Sequence, residues 1–209
     1  MDCRQRRKVI VVTDGDQVAQ EALEQVAKRI HGRVISLSAG NPTHLSGPEL
    51  VKLIHRAKYD PVIVMFDDCG NAKEGFGERA LRYVANHESI KVIGAIAVAS
   101  NCIKSRGTLV HMALDCHGNV ISHPVDKYGK PQYNEELRIY GDTVEILNDI
   151  QIPIIIGIGD VGKMRRYDYY KIGAPVTTKA IKLLLDIYQK NTGTDSIQRE
   201  SNKGEGSLQ

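Results

Sequence analysis

Aspartates follow three short apolar stretches, and these acids are the residues of the chain best suited to chemistry. They are Asp14 and Asp16 after Val9–Val12, Asp67 and Asp68 after Pro61–Phe66, and Asp160 after Ile152–Ile156. Because the carboxyl ends of parallel strands share one edge of a sheet, where open α/β sheets bind ligands, we expect these carboxylates on one edge. They form a candidate ligand or metal edge, and a divalent cation such as Mg²⁺ is the metal that would suit it.

Each of these aspartates also has a structural interpretation. An aspartate between a strand and a helix commonly caps the helix or forms an Asx-turn. Asp16 stands directly before an amphipathic helical pattern and is a good N-cap, while Gly15 can adopt a positive φ. The residue types therefore leave open whether the acidic edge binds a ligand or only makes turns.

A glycine-rich turn after the last apolar stretch is the second candidate site. Gly157, Gly159 and Gly162 have G-x-G-x-x-G spacing, and Lys163 follows directly. Backbone amides in such a turn could hold a phosphate or carboxylate, with Lys163 adding positive charge. No second βαβ half follows, and the residues after Lys163 are not clearly helical. A tight turn that holds Asp160 at the sheet edge is therefore favoured over an anion-binding turn.

The first two aspartates also resemble an enzyme motif. A hydrophobic strand followed by Asp14-Gly15-Asp16 is similar to the first motif of the haloacid dehalogenase phosphatases, where the first Asp is the nucleophile and the second a general acid. Gly159-Asp160 resembles their metal-binding motif, but Met164 stands where its second acid would be, and Asp168 comes only later. No lysine motif is clear. The implied activity, a metal-dependent phosphohydrolase, is thus an alternative with an incomplete residue set.

Two further metal patterns are incomplete. The Toprim metal fold uses a Glu after one strand and Asp-x-Asp after another, whereas this chain has Asp14 and the adjacent pair Asp67-Asp68. Possible zinc ligands also cluster, but their spacing matches no standard zinc site, so surface or packing roles are favoured. These residues are Cys102, His111, Cys116, His117 and His123.

Apolar strands alternate with helical patterns up to about residue 100. This order predicts an α/β fold of three layers, with a mostly parallel sheet of about five strands flanked by helices and a Rossmann-like or Toprim-like topology. A β-hairpin around Gly118-Asn119 is inserted, and a long ordered loop follows it, within 109–138. We expect a basic N-terminal arm at 1–7, a single α/β domain at 8–190 and a disordered tail at 191–209.

The composition narrows the classes of function. A formal net charge of +3 is too small to indicate a nucleic-acid partner. No apolar run is long enough to span a bilayer, and the polar first residues lack the apolar segment of a signal peptide. The four cysteines contain no CxxC pair, which indicates reduced thiols in a cytosol-like compartment.

Several segments, taken together, resemble the stage V sporulation protein AE family (SpoVAEa) of spore-forming bacteria. They are Lys8–Asp16, Ile35–Thr43, Tyr59–Asp68, Ala95–Asn101, Val125–Gly129, Arg138–Asp142 and Ile155–Met164. The resemblance covers about residues 8–190 and is specific as a set, although no single segment is a catalytic signature. The family carries no established catalytic residues, so the resemblance transfers none.

The resemblance implies a non-enzymatic soluble accessory protein of the SpoVA system, which moves calcium–dipicolinate into the developing spore and releases it at germination. It implies a location in the forespore and spore, peripheral to the inner membrane, with other SpoVA subunits as partners. Association of the chain with itself as a homo-oligomer is left open. Dipicolinate is a dianion that the turn at Lys163 could bind, whereas the acidic edge would bind its calcium. The alternative is a metal-dependent phosphohydrolase or a nucleotide-binding protein.

Overall fold

The chain folds around one mixed sheet. The computed structural model describes residues 6–68, 75–101 and 106–204, with side chains up to residue 193. The strands are β1 (Arg7–Val12), β2 (Arg33–Val34), β3 (Val62–Met65), β4 (Ile90–Val98), β5 (Thr108–Leu109), β6 (Met112–Leu114), β7 (Val120–Ile121), β8 (Arg138–Ile139) and β9 (Ile155–Ile158). In this part of the chain, a sheet of seven strands has the order β2-β3-β1-β4-β9-β6-β7, and β5 pairs with β8 separately. All neighbours in the large sheet are parallel except β6 and β7.

Alternate residues of β1 face different layers of helices. The helices are α1 (Gln17–Arg29), α2 (Gly47–Arg56), α3 (Phe76–Asn86) and α4 (Pro175–Gly204). Val9 and Val11 lie in the core that includes the buried residues of α2 and α3, whereas Ile10 and Val12 lie in the core with α1 and α4. All four side chains are fully buried, as in a strand covered on both faces. The predicted three-layer α/β fold is confirmed.

The sheet has more strands than the five that the apolar stretches predict. The hairpin around Gly118-Asn119 is present as β6 and β7, with Ala113 opposite Ile121. This inserted hairpin also extends the sheet, because β6 pairs in parallel with β9. On the other side, β3 lies between β1 and β2, whereas the Rossmann order places the second strand beside the first. Pairings of this kind depend on contacts between distant segments, which periodicity does not report.

The starts of β1 and β9 differ from the predicted ones. β1 begins at Arg7, inside the predicted basic arm, and the Arg7 guanidinium pairs with Asp60 at 3.1 Å. Residues 1–5 of that arm lie outside the described residues. β9 begins at Ile155 rather than at residue 152. Pro153 explains the shift, because proline has no amide hydrogen to donate to a neighbouring strand.

The last helix is longer than its apolar pattern. The sequence predicts a helix at 177–189 and a tail at 191–209, whereas α4 continues to Gly204, and residues 205–209 lie outside the described part. The Thr192 hydroxyl donates to the carbonyls of Tyr188 and Gln189 at 3.0 and 3.1 Å. A helix nucleated on packed residues gains one backbone hydrogen bond per added residue, so it extends into polar sequence. Within the described chain, none of the helices is both long and apolar enough to cross a membrane.

Local signals set the starts of two helices. Asp16 Oδ1 accepts a hydrogen bond of 2.9 Å from the amide three residues later and caps α1. Ser46 and Glu49 form the capping box of α2, in which Glu49 accepts from the Ser46 amide at 2.8 Å. Gly15, in contrast, does not use its freedom to adopt a positive φ. A Cβ there would lie 2.4 Å from the Gly40 carbonyl oxygen, so this glycine permits a close approach of two loops.

Candidate functional site

A cavity of about 230 Å³ opens at the carboxyl edge of the sheet, at the ends of β1, β3, β4 and β9. The chain leaves β1 towards β2 on one side and leaves β4 towards the hairpin on the other. Such a change of direction is where open α/β sheets bind ligands. Four of the five aspartates identified from the sequence line this cavity, together with one further acid and two lysines. These charged residues are Asp14, Asp16, Asp67, Asp142, Asp160, Lys127 and Lys163.

Asp14 lines the cavity and has one fully buried carboxylate oxygen. The residue is only 9% exposed, and its Oδ1 accepts a long hydrogen bond of 3.4 Å from the Asp16 amide. No described group donates to Oδ2, which is buried. Burial, opposed by the positive charge of Lys163, raises the pKa of Asp14 to about 7. Both protonation states of Asp14 are therefore populated near neutral pH.

Lys163 joins two of the carboxylates. Its Nζ lies 2.5 Å from Asp16 Oδ2 and 2.6 Å from Asp160 Oδ1. Burial alone would lower the pKa of Lys163, but the charge of Asp14 and the hydrogen bonds to Asp16 and Asp160 outweigh it and raise this pKa. The lysine therefore stays charged and ties the end of β1 to the turn after β9.

Lys163→Met is expected to lower the free energy of unfolding by about 2 kcal/mol at about pH 8, because Asp16 and Asp160 would face each other without a cation. The loss is smaller than for a fully buried pair, since the Lys163 side chain is 32% exposed. Urea unfolding measures the change, which should shrink in acid as the carboxylates bind protons. Lys182→Met, at an exposed position of α4, is the control. Equal losses in both variants would contradict the role of the ion pairs.

The two acids at the end of β3 have different partners. Asp68 accepts hydrogen bonds from the amides of Gly77 and Glu78 at 2.6 and 2.8 Å, so it caps α3. Burial raises the pKa of Asp68, and these two bonds oppose the rise. Asp67 lines the cavity, and its backbone amide donates to Thr43 Oγ1 at 2.9 Å. Asp68 thus has a structural role, whereas Asp67 belongs to the cavity wall.

The glycines of the G-x-G-x-x-G stretch are required by packing. Gly157 lies inside β9, where a Cβ would meet the Ile139 side chain at 2.5 Å. A Cβ at Gly159 would lie 2.6 Å from the amide nitrogen of Gly129. Gly162 has a φ of +73°, a conformation that glycine adopts without strain. Each glycine therefore has a reason that involves no ligand.

The amides of this turn already donate within the protein. The Asp160 amide donates to the Lys127 carbonyl at 2.8 Å, and the Lys163 amide donates to the Asp160 carbonyl at 3.2 Å. The Gly162 amide donates to Asp168 Oδ2 at 2.9 Å. These three amides are not available to an anion, so the turn holds Asp160 at the sheet edge.

Asp168 organises this turn, a role that its sequence position does not indicate. The side chain is fully buried and accepts hydrogen bonds from the amides of Gly162, Val176 and Thr177 and from the Thr177 hydroxyl. It therefore caps α4 and fixes the turn that carries Lys163. Asp168 stands too far upstream of the helix to be recognised from the sequence as its N-cap.

Lys127 reaches the cavity from the long loop that precedes β8. The Asp126 side chain shapes this loop by accepting from the amides of Tyr128 and Lys130 at 2.8 and 2.9 Å. The hydrogen bond from the Asp160 amide docks the loop on the turn after β9. Sequence reasoning missed Lys127, because only this docking brings it beside the aspartates.

The described side chains contain no arrangement ready to bind a metal. Among them, no group of three or more His, Cys, Asp or Glu residues is placed to hold an ion, so a divalent cation has no preformed ligand set there. His111 Nδ1 accepts from the Ile155 amide at 3.0 Å, and His117 packs edge-on against the Tyr167 ring. Cys116 is a free thiol. The other three cysteines, Cys3, Cys69 and Cys102, lie outside the described residues.

Comparison with known proteins identifies the family. The model of the SpoVAE family, described as stage V sporulation protein AE1, matches residues 8–187. The matched residues include the whole sheet except Arg7, the first residue of β1. They also include all of the residues that line the cavity. A search of curated proteins and a search of solved structures each found no match. The chain therefore belongs to the SpoVAE family of stage V sporulation proteins, and its role is in sporulation.

Proposed function

We propose that this protein is a non-enzymatic accessory component of the SpoVA system, which transports calcium–dipicolinate in spore formation and germination. The observation that carries the proposal is the family match over residues 8–187. The proposed location is the forespore and spore, at the surface of the inner membrane, and the proposed partners are the membrane-embedded SpoVA subunits. This role requires a surface that recognises another protein and does not require a reactive centre.

The charged groups of the cavity support a non-enzymatic role over the phosphohydrolase alternative. Asp16 caps α1 with one oxygen and binds Lys163 with the other, so both oxygens are engaged. Asp160 shares the same lysine. Phosphatase chemistry in which Asp16 acts as the general acid would require its pair with Lys163 to open.

A basic–aromatic surface is the proposed contact with the partner. We define it as Tyr128, Arg165, Arg166, Tyr167, Tyr169 and Lys171. The Arg165 guanidinium carbon lies 4.3 Å from the centre of the Tyr128 ring, and that of Arg166 lies 5.5 Å from the centre of the Tyr169 ring. Arginine and tyrosine are the residue types enriched at the energetic centres of interfaces, and the positive charge suits an acidic segment of a partner.

The backbone under this surface is strained. Met164, Arg165 and Arg166 have φ values of +39°, +51° and +77°, in the left-handed region. That region costs a residue other than glycine about 1–2 kcal/mol. Met164 is fully buried and anchors the turn, while the two arginines are exposed. Strain of this kind concentrates at functional sites, which supports the choice of this surface.

The double variant Arg165→Glu, Arg166→Glu is expected to reduce capture of SpoVA channel subunits from detergent-solubilised spore membranes by about tenfold or more, because two attractive charges become repulsive. The immobilised full-length protein serves as bait, and mass spectrometry identifies the captured subunits. The measured quantity is the amount of channel subunit retained per mole of bait.

The matched control is Lys52→Glu with Arg56→Glu, which makes the same change of charge on the exposed face of α2. Both double variants must unfold at the same urea concentration as the unmodified protein. If the unmodified protein retains no channel subunit, the proposed function fails. If both double variants retain the subunits equally, the function stands and the basic–aromatic surface is the wrong contact.

A further inference from the structure

The outer face of α3 carries two exposed aromatic side chains. Phe76 is 40% exposed and Tyr83 is 45% exposed. Their spacing corresponds to about two turns of helix, so both rings lie on the same face. A cleft of about 580 Å³ runs along this face, and its lining residues are Arg79, Arg82, Tyr83, Asn86, His87 and Glu88. Exposed apolar side chains that are grouped and rimmed by polar ones are typical of a contact with another molecule.

The shape of this cleft suits a protein surface rather than a small molecule. All of the described residues that line it belong to α3 or directly follow the helix. A small-molecule pocket buries most of its ligand and therefore needs walls from several elements. A ligand held by one helix would stay largely in water, whereas a second helix packed along α3 would cover the cleft throughout its length.

Tyr83 is held in place for such a contact. Its side chain lies on the backbone of Gly47 at the start of α2, where a Cβ would come within 2.4 Å of the Tyr83 Cβ. The Tyr83 ring also packs against the His87 ring, and the two ring centroids are 5.7 Å apart. A side chain that is already fixed loses little conformational freedom on binding, and tyrosine is enriched at the energetic centres of interfaces.

The charges on this face are arranged for a second copy of the same chain. Arg79 and Glu88 are both exposed, and they lie on either side of Tyr83 along the cleft. In a two-fold contact, each residue faces the residue that lies about equally far on the other side of the axis. With two copies of α3 antiparallel and the axis beside Tyr83, Arg79 of each copy lies opposite Glu88 of the other. Arg82 is already paired with Asp149 at 3.2 Å. The face is therefore complementary to itself.

We propose that two copies of this chain form a weak homodimer through antiparallel α3 helices, with Tyr83 at the centre and Arg79 of each copy paired with Glu88 of the other. Two short helices bury less than the roughly 1,200 Å² of a stable interface, so we expect a dissociation constant on the order of 100 µM. The α3 face is separate from the basic–aromatic surface, so this inference does not rest on the proposed function.

The test is small-angle X-ray scattering from the full chain between about 10 µM and 1 mM, which reports the average mass at each concentration. The mass of the unmodified protein is expected to rise from that of a monomer towards that of a dimer. Arg79→Glu places a carboxylate opposite Glu88 at both ends of the contact, so it should raise the dissociation constant by about fivefold or more. Glu88→Arg should have the same effect through two opposed cations. Since Glu88 follows the helix, this second variant tests the pair even if Arg79→Glu weakens the fold.

The double variant Arg79→Glu, Glu88→Arg is expected to restore the dimer, because each pair forms again with its charges exchanged. Lys182→Glu, at an exposed position of α4 in the opposite layer of helices, is the control and should associate like the unmodified protein. Urea unfolding checks that each variant is folded. The proposal is overturned if the unmodified chain stays monomeric at the highest concentration, if both single variants associate as well as the unmodified protein, or if the double variant does not regain the dimer.

Discussion

Asp14→Asn is expected to stabilise the protein, by about 4 kcal/mol at about pH 8, although it removes a charge beside Lys163. Burial raises the pKa of Asp14 from 3.8 to about 7, an effect that Lys163 opposes only in part. Between about pH 4 and pH 7 the folded state therefore keeps a proton on Asp14 that the unfolded state has already released. Asparagine has the same shape and carries no charge, so the folded protein no longer bears the cost of ionising a buried group.

The pH dependence of stability follows from the same shift. Between about pH 4 and pH 7 the folded protein holds more protons at Asp14 than the unfolded chain does, so the free energy of unfolding falls as the pH rises through this window. In Asp14→Asn this contribution disappears, and the two proteins should be nearly equal in stability at about pH 4. Urea unfolding at several pH values measures the difference. Asp186→Asn is the control, and a destabilised Asp14→Asn variant at alkaline pH would contradict the prediction.

A stabilising substitution at Asp14 would also have a functional meaning. A residue that destabilises the fold in its present form is retained when it serves binding or catalysis. Gain of stability would show that the fold does not require the Asp14 charge, whereas loss of stability would assign that charge to the fold.

Asp168→Ala is expected to cause the largest loss of stability, about 3–5 kcal/mol. Its fully buried carboxylate accepts four hydrogen bonds, from the amides of Gly162, Val176 and Thr177 and from the Thr177 hydroxyl. Alanine would leave these donors buried without an acceptor. Burial raises the pKa of Asp168, which means that ionising this carboxylate costs the folded state free energy. Removing the charge therefore offsets part of the lost stability and limits the total loss.

Urea unfolding of Asp168→Ala provides the measurement, and amide hydrogen exchange locates the effect. Exchange should accelerate first at the start of α4 and in the turn that carries Lys163, because Asp168 connects these two segments. Asp186→Ala, in the exposed part of the same helix, is the control and should change stability by less than about 0.5 kcal/mol. Similar stabilities of the two variants would show that the Asp168 hydrogen bonds are not needed to hold the helix start.

Sequence patterns predicted those features that depend on neighbouring residues. The run Val9–Val12 is apolar at every position because both faces of β1 are covered, and this pattern requires no knowledge of the partners. Asp16 and the pair Ser46 and Glu49 cap their helices through contacts within three residues. The family was predicted in the same way, from segments along the chain, and the match over residues 8–187 confirms it.

Predictions were incomplete where a role depends on a distant segment. Gly157, Gly159 and Gly162 have the spacing of a phosphate-binding loop, but Ile139 and Gly129 approach the first two from elsewhere in the chain. The hairpin was predicted from local turn chemistry, yet only its pairing with β9 makes it part of the sheet. Local spacing does not contain these contacts, because they form between segments that are far apart in sequence.

The sequence by itself determined the α/β class, the acidic ends of β1 and β3, and the caps of α1 and α2, since each follows from local periodicity or from side chains that bond to nearby amides. Tertiary structure alone decided which acids face the cavity. It turned Asp68 to cap α3, placed Lys163 between Asp16 and Asp160, and buried Asp14 Oδ2 where none of the described groups donates to it. The physical reason is that burial and ion pairing depend on the packing of β1, β9 and their loops around one point, which brings together residues nearly 150 positions apart.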